Sequence, residues 1–294
     1  MVRTIEQIKR DIAALEQACE TLAAEILSAY TSYLTDLGQA VKQQAVLASY
    51  HLCTQGYPES FLRLSFNQRQ KLQQDIRKVL HSGIEQLLML STVEETDVEA
   101  QENSKHSQKS NAESSESPLQ TLVSALEEAG AELPSLPRLS MQDITSNPKD
   151  LSQWQQNTEQ AIADNLKTIS RDINYLLQQA GILPEKLPFA LVEAAISSPE
   201  LPAEATVGPP NLLSLLVEAQ SNQESEDASV TTLVAVYLRL GEIEFADVAV
   251  RAGRNKIRHL ETRLRSLTRE HHKKERERAI AEAEAAWRSS WFED

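Results

Sequence analysis

The chain has 294 residues, a net charge of −14, 41% hydrophobic residues and only 5% aromatic ones. That negative surplus disfavours binding of the chain as a whole to nucleic acid or an anionic membrane. No apolar run approaches the roughly 18 residues needed to cross a bilayer. Cys19 and Cys53 form no C-x-x-C pair and suit a reducing cytoplasm better than a disulfide framework. The opening "MVRTIEQIKRDIAAL" mixes charge into its apolar residues and so does not read as a secretory signal. Ten of the 11 prolines lie between Pro118 and Pro210. The proline-poor ends therefore predict long helices, because an interior proline costs a helix about 3 kcal/mol. The expected class is all-α and elongated, in a soluble, cytoplasmic protein.

The first element is a long amphipathic helix. Ile5, Ile8, Ile12, Leu15, Cys19, Leu22, Ile26 and Ala29 step by threes and fours, the spacing of a heptad seam. Asp36 and Gln43 fall on the same line, so the strict seam weakens there, and "TQGYPES" ends the helix by Gly56 and Pro58. "SFNQ" places Ser65 and Gln68 at capping-box spacing for a second helix with Leu72, Ile76, Val79, Leu80, Ile84 and Leu87 on its apolar face. Two helices joined by so short a break predict an antiparallel hairpin over 1–90.

Residues 91–117 are Ser, Asp or Glu at 14 of 27 positions, too polar to offset their ordering entropy, and read as a disordered linker. The region 118–220 reads as proline-interrupted helices. "PLQTLVSALEEAG" is one. A longer one spans about 149–179, with Leu151, Trp154, Ala161, Ile162, Ile169, Ile173 and Leu176 on one face and Gly181 as its C-terminal cap. "NLLSLLVEAQ" reads as a last short helix before the polar linker 221–229.

From residue 230 to 294 the pattern predicts one long helix, with strand as the lesser alternative over the β-branched "VTTLVAV". Helical throughout, it would extend about 95 Å. Its seam is Ile243, Ala246, Val250, Gly253, Ile257, Leu260, Leu264 and Leu267. Ala246 and Gly253 in that seam suggest close approach of a second helix.

Three stretches, "YHLCTQGYPESFLRLSFNQRQKLQQDIRK", "YLRLGEIEFADVAVRAGRNKIRHLETRL" and "RERAIAEAEAAWRSSWFED", resemble an uncharacterised group of cyanobacterial proteins. The resemblance implies a soluble, bacterial, cytosolic protein and brings with it no activity, cofactor or catalytic residue.

Chemistry-bearing motifs are scarce. There is no G-x-S-x-G, no G-x-x-x-x-G-K-[ST] and no Gly-rich phosphate loop. His51 and Cys53, two residues apart on a helix, point to different faces, and zinc needs about four converging ligands. His271 falls on the seam after Leu267, where it ends the apolar line and makes a pH-sensitive seam conceivable. These observations point away from an enzyme and from any metal or cofactor.

Residues 251–278 hold 11 Lys and Arg against four Glu, so the rest of the chain carries −21. A basic helix can bind a phosphate backbone by releasing counterions, which makes Arg251, Arg254, Arg258, Arg265, Lys273 and Lys274 candidate phosphate-binding residues. Arg251, Arg254, Lys256, Arg258, Arg263 and Arg265 spread over several positions off the seam, read as forming no single stripe, and no aromatic interleaves with them for base stacking, which favours a solvated exterior. The acidic stretch 91–117 could also fold onto them.

Ile280, Ala283, Trp287 and Trp291 form one helical stripe, with Phe292 beside it. From Leu267 to Ile280 the helix turns through about 220°, so the stripe faces away from the seam. Such a stripe can fold back on the chain's own helices, dock into another protein's groove or lodge at a membrane interface. Glu282, Glu284, Glu293 and Asp294 disfavour an anionic membrane. The expectation is a scaffold or adaptor that uses its seams for self-association or pairing of its end helices, and its aromatic tail as a partner anchor. Nucleic-acid binding through 251–278 is the alternative.

Overall fold

A computed structural model describes residues 4–90, 147–184, 209–219 and 229–291. The linker 91–117, the helix expected from "PLQTLVSALEEAG", most of the proline-rich stretch after Leu183, most of the linker 221–229, and Phe292 lie outside the described residues.

The described residues are all-α in class, apart from one β-hairpin. Helix α1 (Ile5–His51) contains no proline and runs into a π-helical turn (Leu52–Gly56). Pro58 then opens a short α2 (Pro58–Arg63), a position where its missing N–H costs nothing. Ser65 and Gln68 form the expected reciprocal capping box that starts α3 (Phe66–Met89). Asn147 caps α4 (Pro148–Gln179), and Gly181, at φ +73°, adopts the left-handed conformation that ends it.

Along α1 the heptad seam holds through Ile8, Ile12, Cys19, Leu22, Ile26 and Ala29, all buried, with Ile5 and Leu15 half-buried. It then drifts by one position, and the core face becomes Tyr30, Tyr33, Leu34, Leu37, Val41, Ala45 and Ala48. A straight helix of 3.6 residues per turn cannot keep a 3.5-residue repeat on one face. The drift leaves Gln43 in solvent and Asp36 half-buried.

α1 and α3 pack against each other where Gly38 meets Ile84, after the chain has turned back through α2. α4 lies antiparallel to α3, and the two come very close at Gly83. A Cβ there would fall 2.5 Å from Ile169 Cγ1, and the Gly83 carbonyl accepts a hydrogen bond from Asn165 Nδ2.

The segment after Pro210 corrects the sequence reading. "NLLSLLVEA" is not a helix but a strand, β1 (Leu212–Ala219), paired antiparallel with β2 (Ser229–Val236), with Leu212 opposite Val236 and Ala219 opposite Ser229. The β-branched residues of β2 favour extended backbone, and the long-range pairing carries the leucine-rich β1 with it. At the C-terminal end of β2 and just beyond it, side chains of other elements meet the outward backbone groups. Asn174 on α4 donates to the Val236 carbonyl and accepts from the Val236 N–H. Ser170 accepts from the Leu238 N–H, and Tyr57 from the Val234 N–H. This accounts for Asn174 and Ser170 being buried on an otherwise apolar helix face.

The single rod expected over 230–294 is likewise not seen. After β2 comes a short α5 (Leu240–Ala246), then a break at Asp247, whose extended backbone and carboxylate cap α6 (Val248–Ser290) by accepting from the Ala249 and Val250 N–H groups. At 43 residues α6 is about 65 Å long. Asp247 sits where the seam expects continuous helix, so Ala246 is exposed instead of lying in the core.

α6 lies antiparallel along α1. Tyr33 faces Gly253, Glu25 pairs with Arg263 at 2.5 Å, Asp11 with Lys274 at 2.8 Å and Lys9 with Glu282 at 3.7 Å. Among the described residues no helix is long and apolar enough to cross a membrane.

Candidate interaction surfaces of the last helix

Three faces of α6 have different surroundings. The seam face packs inward: Val250, Ile257, Leu260 and Leu264 are buried, with Ile243 of α5, and Leu267 is half-buried. Gly253 permits the close approach to α1, since a Cβ there would lie 3.2 Å from Tyr33 Cδ2 and 3.5 Å from Tyr33 Cα. His271 continues this face at 11% side-chain exposure, with Nε2 3.9 Å from Glu16 and Nδ1 3.7 Å from Glu275.

Beside the seam lies a buried polar cluster. Arg254 is 8% exposed. Its guanidinium donates from Nη1 to Glu159 at 2.5 Å, from Nε to Glu244 at 2.6 Å and from Nη2 to the Tyr33 hydroxyl at 2.6 Å, and it also lies 4.6 Å from the Tyr33 ring centroid. Tyr30 donates to Glu159 at 2.6 Å and Tyr33 to Glu244 at 2.7 Å. Burial alone lowers the pKa of Arg254, but the hydrogen bond to Glu159 and the surrounding negative charge more than reverse this, so it stays protonated. Burial raises the Tyr30 and Tyr33 hydroxyls, and both remain donors. The cluster ties α1, α4, α5 and α6 together at one level, and its hydrogen bonds are all internal.

The six candidate phosphate-binding residues therefore part company. Arg254 is inside, committed to two carboxylates. Arg265 pairs with Glu261, and Lys274 with Asp11 and Glu277. Arg251, Arg258 and Lys273 are exposed and form no ion pair among the described residues. The expectation of no single stripe is only partly met. Arg258, Arg265, Arg269 and His272 share one face, which lines a groove of about 900 Å³ between α6 and the start of α4. Arg269, His272 and the α4 wall were not singled out from sequence. Their i, i+4, i+7 spacing was visible, but the opposite wall is set by tertiary packing.

The far end of α6 presents the aromatic stripe. Ile280, Trp287 and Trp291 are 52%, 66% and 63% exposed, and the two indoles lie against each other at 5.6 Å between ring centroids. The two indoles sit past the Lys9–Glu282 pair, and all three side chains stay exposed instead of packing onto the described helices. The third tryptophan, Trp154, is half-buried and packs edge-on against Tyr30 at 5.4 Å.

Among the described residues no three His, Cys, Asp or Glu side chains are placed to hold a metal ion. Burial raises both cysteine thiols to about 11, with Glu20 adding to the effect at Cys19. Compared with protein-family models, with curated proteins and with solved structures, the chain matches none.

Proposed function

We propose that this protein is a non-enzymatic helical scaffold or adaptor whose α6 tip anchors a protein partner. The observation that carries the reading is the bare stripe of Ile280, Trp287 and Trp291 at the end of a helix that is otherwise paired along α1. Two indoles bury on the order of 400 Å², an apolar area that soluble surfaces rarely leave uncovered without use. Tryptophans at helical spacing are the residues that most often dominate helix-in-groove recognition. We assign Phe292, next in sequence, to the same anchor. The seam residues Ile8, Ile12, Leu22, Ile26, Val250, Ile257, Leu260 and Leu264 hold α1 and α6 together and so present the tip on a rigid support. This reading places the protein in the cytoplasm.

The test is a Trp287→Ala, Trp291→Ala double variant. It leaves the thermal midpoint within about 1 °C, because exposed side chains contribute little to folding, and it removes partners captured by the wild-type chain from native cells. Unchanged capture refutes the anchor. Nucleic-acid binding through 251–278 is the competing reading. A duplex-binding assay separates the two: a steep loss of affinity between about 50 and 200 mM salt supports the phosphate reading, and no binding at low salt removes it.

A further inference from the structure

The groove between α4 and α6 has no part in the tip. Its α6 wall carries Arg258, Arg265, Arg269 and His272, and its α4 wall carries Gln155, Gln156 and Gln160. Leu240, half-buried, and the aliphatic stems of the lining arginines supply apolar surface, and the Arg254 cluster forms one end of the floor. The carboxylates in the lining already have partners: Glu159 and Glu244 hold Arg254, and Glu261 holds Arg265. Arg258 and Arg269 have none among the described residues and are exposed. A chain of net charge −14 thus keeps a cleft whose uncommitted charge is positive.

We propose that this groove is a second docking site, for an acidic, leucine-bearing helical segment of a partner protein. Charge complementarity selects the acidic side chains, through Arg258 and Arg269. Leu240 and the aliphatic stems of Arg258, Arg265 and Arg269 give an apolar ridge somewhere to settle, and the exposed Gln156 amide, both donor and acceptor, suits the polar flank of a peptide. The same lining argues against a nucleic-acid backbone. A backbone charged at every residue brings no apolar ridge to the apolar part of the lining. The α6 wall, residues 254–272, is about 27 Å long, the length of a helical peptide of about 18 residues.

The experiment is fluorescence anisotropy of the full chain with a labelled peptide of that length, with Leu at i, i+4 spacing and Glu at the remaining exposed positions. The wild-type chain binds saturably. The Arg258→Glu, Arg269→Glu variant weakens binding by at least about tenfold. A control variant off the groove, Arg251→Glu with Lys256→Glu, carries the same net charge change and alters affinity by less than about twofold. The Trp287→Ala, Trp291→Ala variant binds like wild type, which separates this site from the tip. Both charge-reversal pairs lie on exposed positions, and circular dichroism verifies that the helices are retained. Three outcomes overturn the proposal. The first is no saturable binding by the wild-type chain, including the case where its own acidic stretch 91–117 already fills the groove. The second is an equal loss in both charge-reversal variants. The third is duplex DNA or RNA binding to the groove in preference to the peptide.

Discussion

Replacing Arg254 with alanine probes the joint that fixes α6 against α1, α4 and α5. The variant keeps two carboxylates within reach of one cavity and removes the cation between them. Deleting one partner of a buried charge cluster costs about 3–5 kcal/mol. Glu244 is only 13% exposed and is left without its cation, whereas Glu159 is 32% exposed and can be partly rehydrated. The expected loss therefore falls at the lower end, about 3 kcal/mol, which lowers Tm by roughly 6–12 °C in a protein of this size. Urea denaturation followed by circular dichroism reads it directly. A companion variant, Arg254→Met with Glu159→Gln and Glu244→Gln, removes the charges together. It stays within about 1 kcal/mol of wild type, because a buried ionic cluster gains little over neutral packing once none of its members is orphaned. A single variant that loses less than about 1 kcal/mol, or a triple variant as unstable as the single one, refutes the reasoning.

Gly253→Val drives a branched side chain against the backbone and ring of Tyr33 and destabilises the fold by about 1–3 kcal/mol, whereas Ala252→Val, on the exposed side of the same helix, costs less than about 0.5 kcal/mol; thermal melts compare the two. Both cysteines are buried and their thiols are raised to about 11, so a thiol reagent at pH 8 modifies them only after denaturant is added, and prompt labelling of the native chain contradicts their placement. The same shifts set the alkaline limit of stability. Cys19, Cys53, Tyr30 and Tyr33 all have folded pKa values above their unfolded ones. The unfolded chain therefore releases their protons first, and the stability they contribute is complete below about pH 9 and is lost as pH rises through 9 to 11 and beyond. A stability profile flat across that window contradicts the burial of these groups.

Local signals were legible where one residue sets the geometry. The Ser65–Gln68 capping box, the stop at Gly56 and Pro58, and the left-handed Gly181 all stand where their chemistry places them. The hairpin was not legible in the same way. The leucines of β1 fit a helical face as well as a strand, and what decides is the register with β2 and the Asn174 amide waiting at its edge. Asp247 was a missed signal of the first kind: an aspartate ahead of "VAVRAG" is a helix cap as readily as a seam interruption. Arg254 illustrates the second kind. Nothing within its own turn distinguishes it from Arg251 or Arg258, and its burial follows from Tyr33, Glu159 and Glu244, which arrive from other elements. For the tip, rotation gives only that the stripe through Trp287 and Trp291 turns away from the Leu260–Leu267 line; it does not decide between folding back on the chain's own helices and the exposure that is found.

The central claim is that the α6 tip is a contact surface for another polypeptide. Photo-crosslinking in native cells from a benzoyl-phenylalanine side chain put in place of Trp287 tests it most directly. The account predicts a crosslinked species heavier than the chain itself, carrying a second protein joined at that position. Products that join residue 287 only to other parts of the same molecule would contradict it.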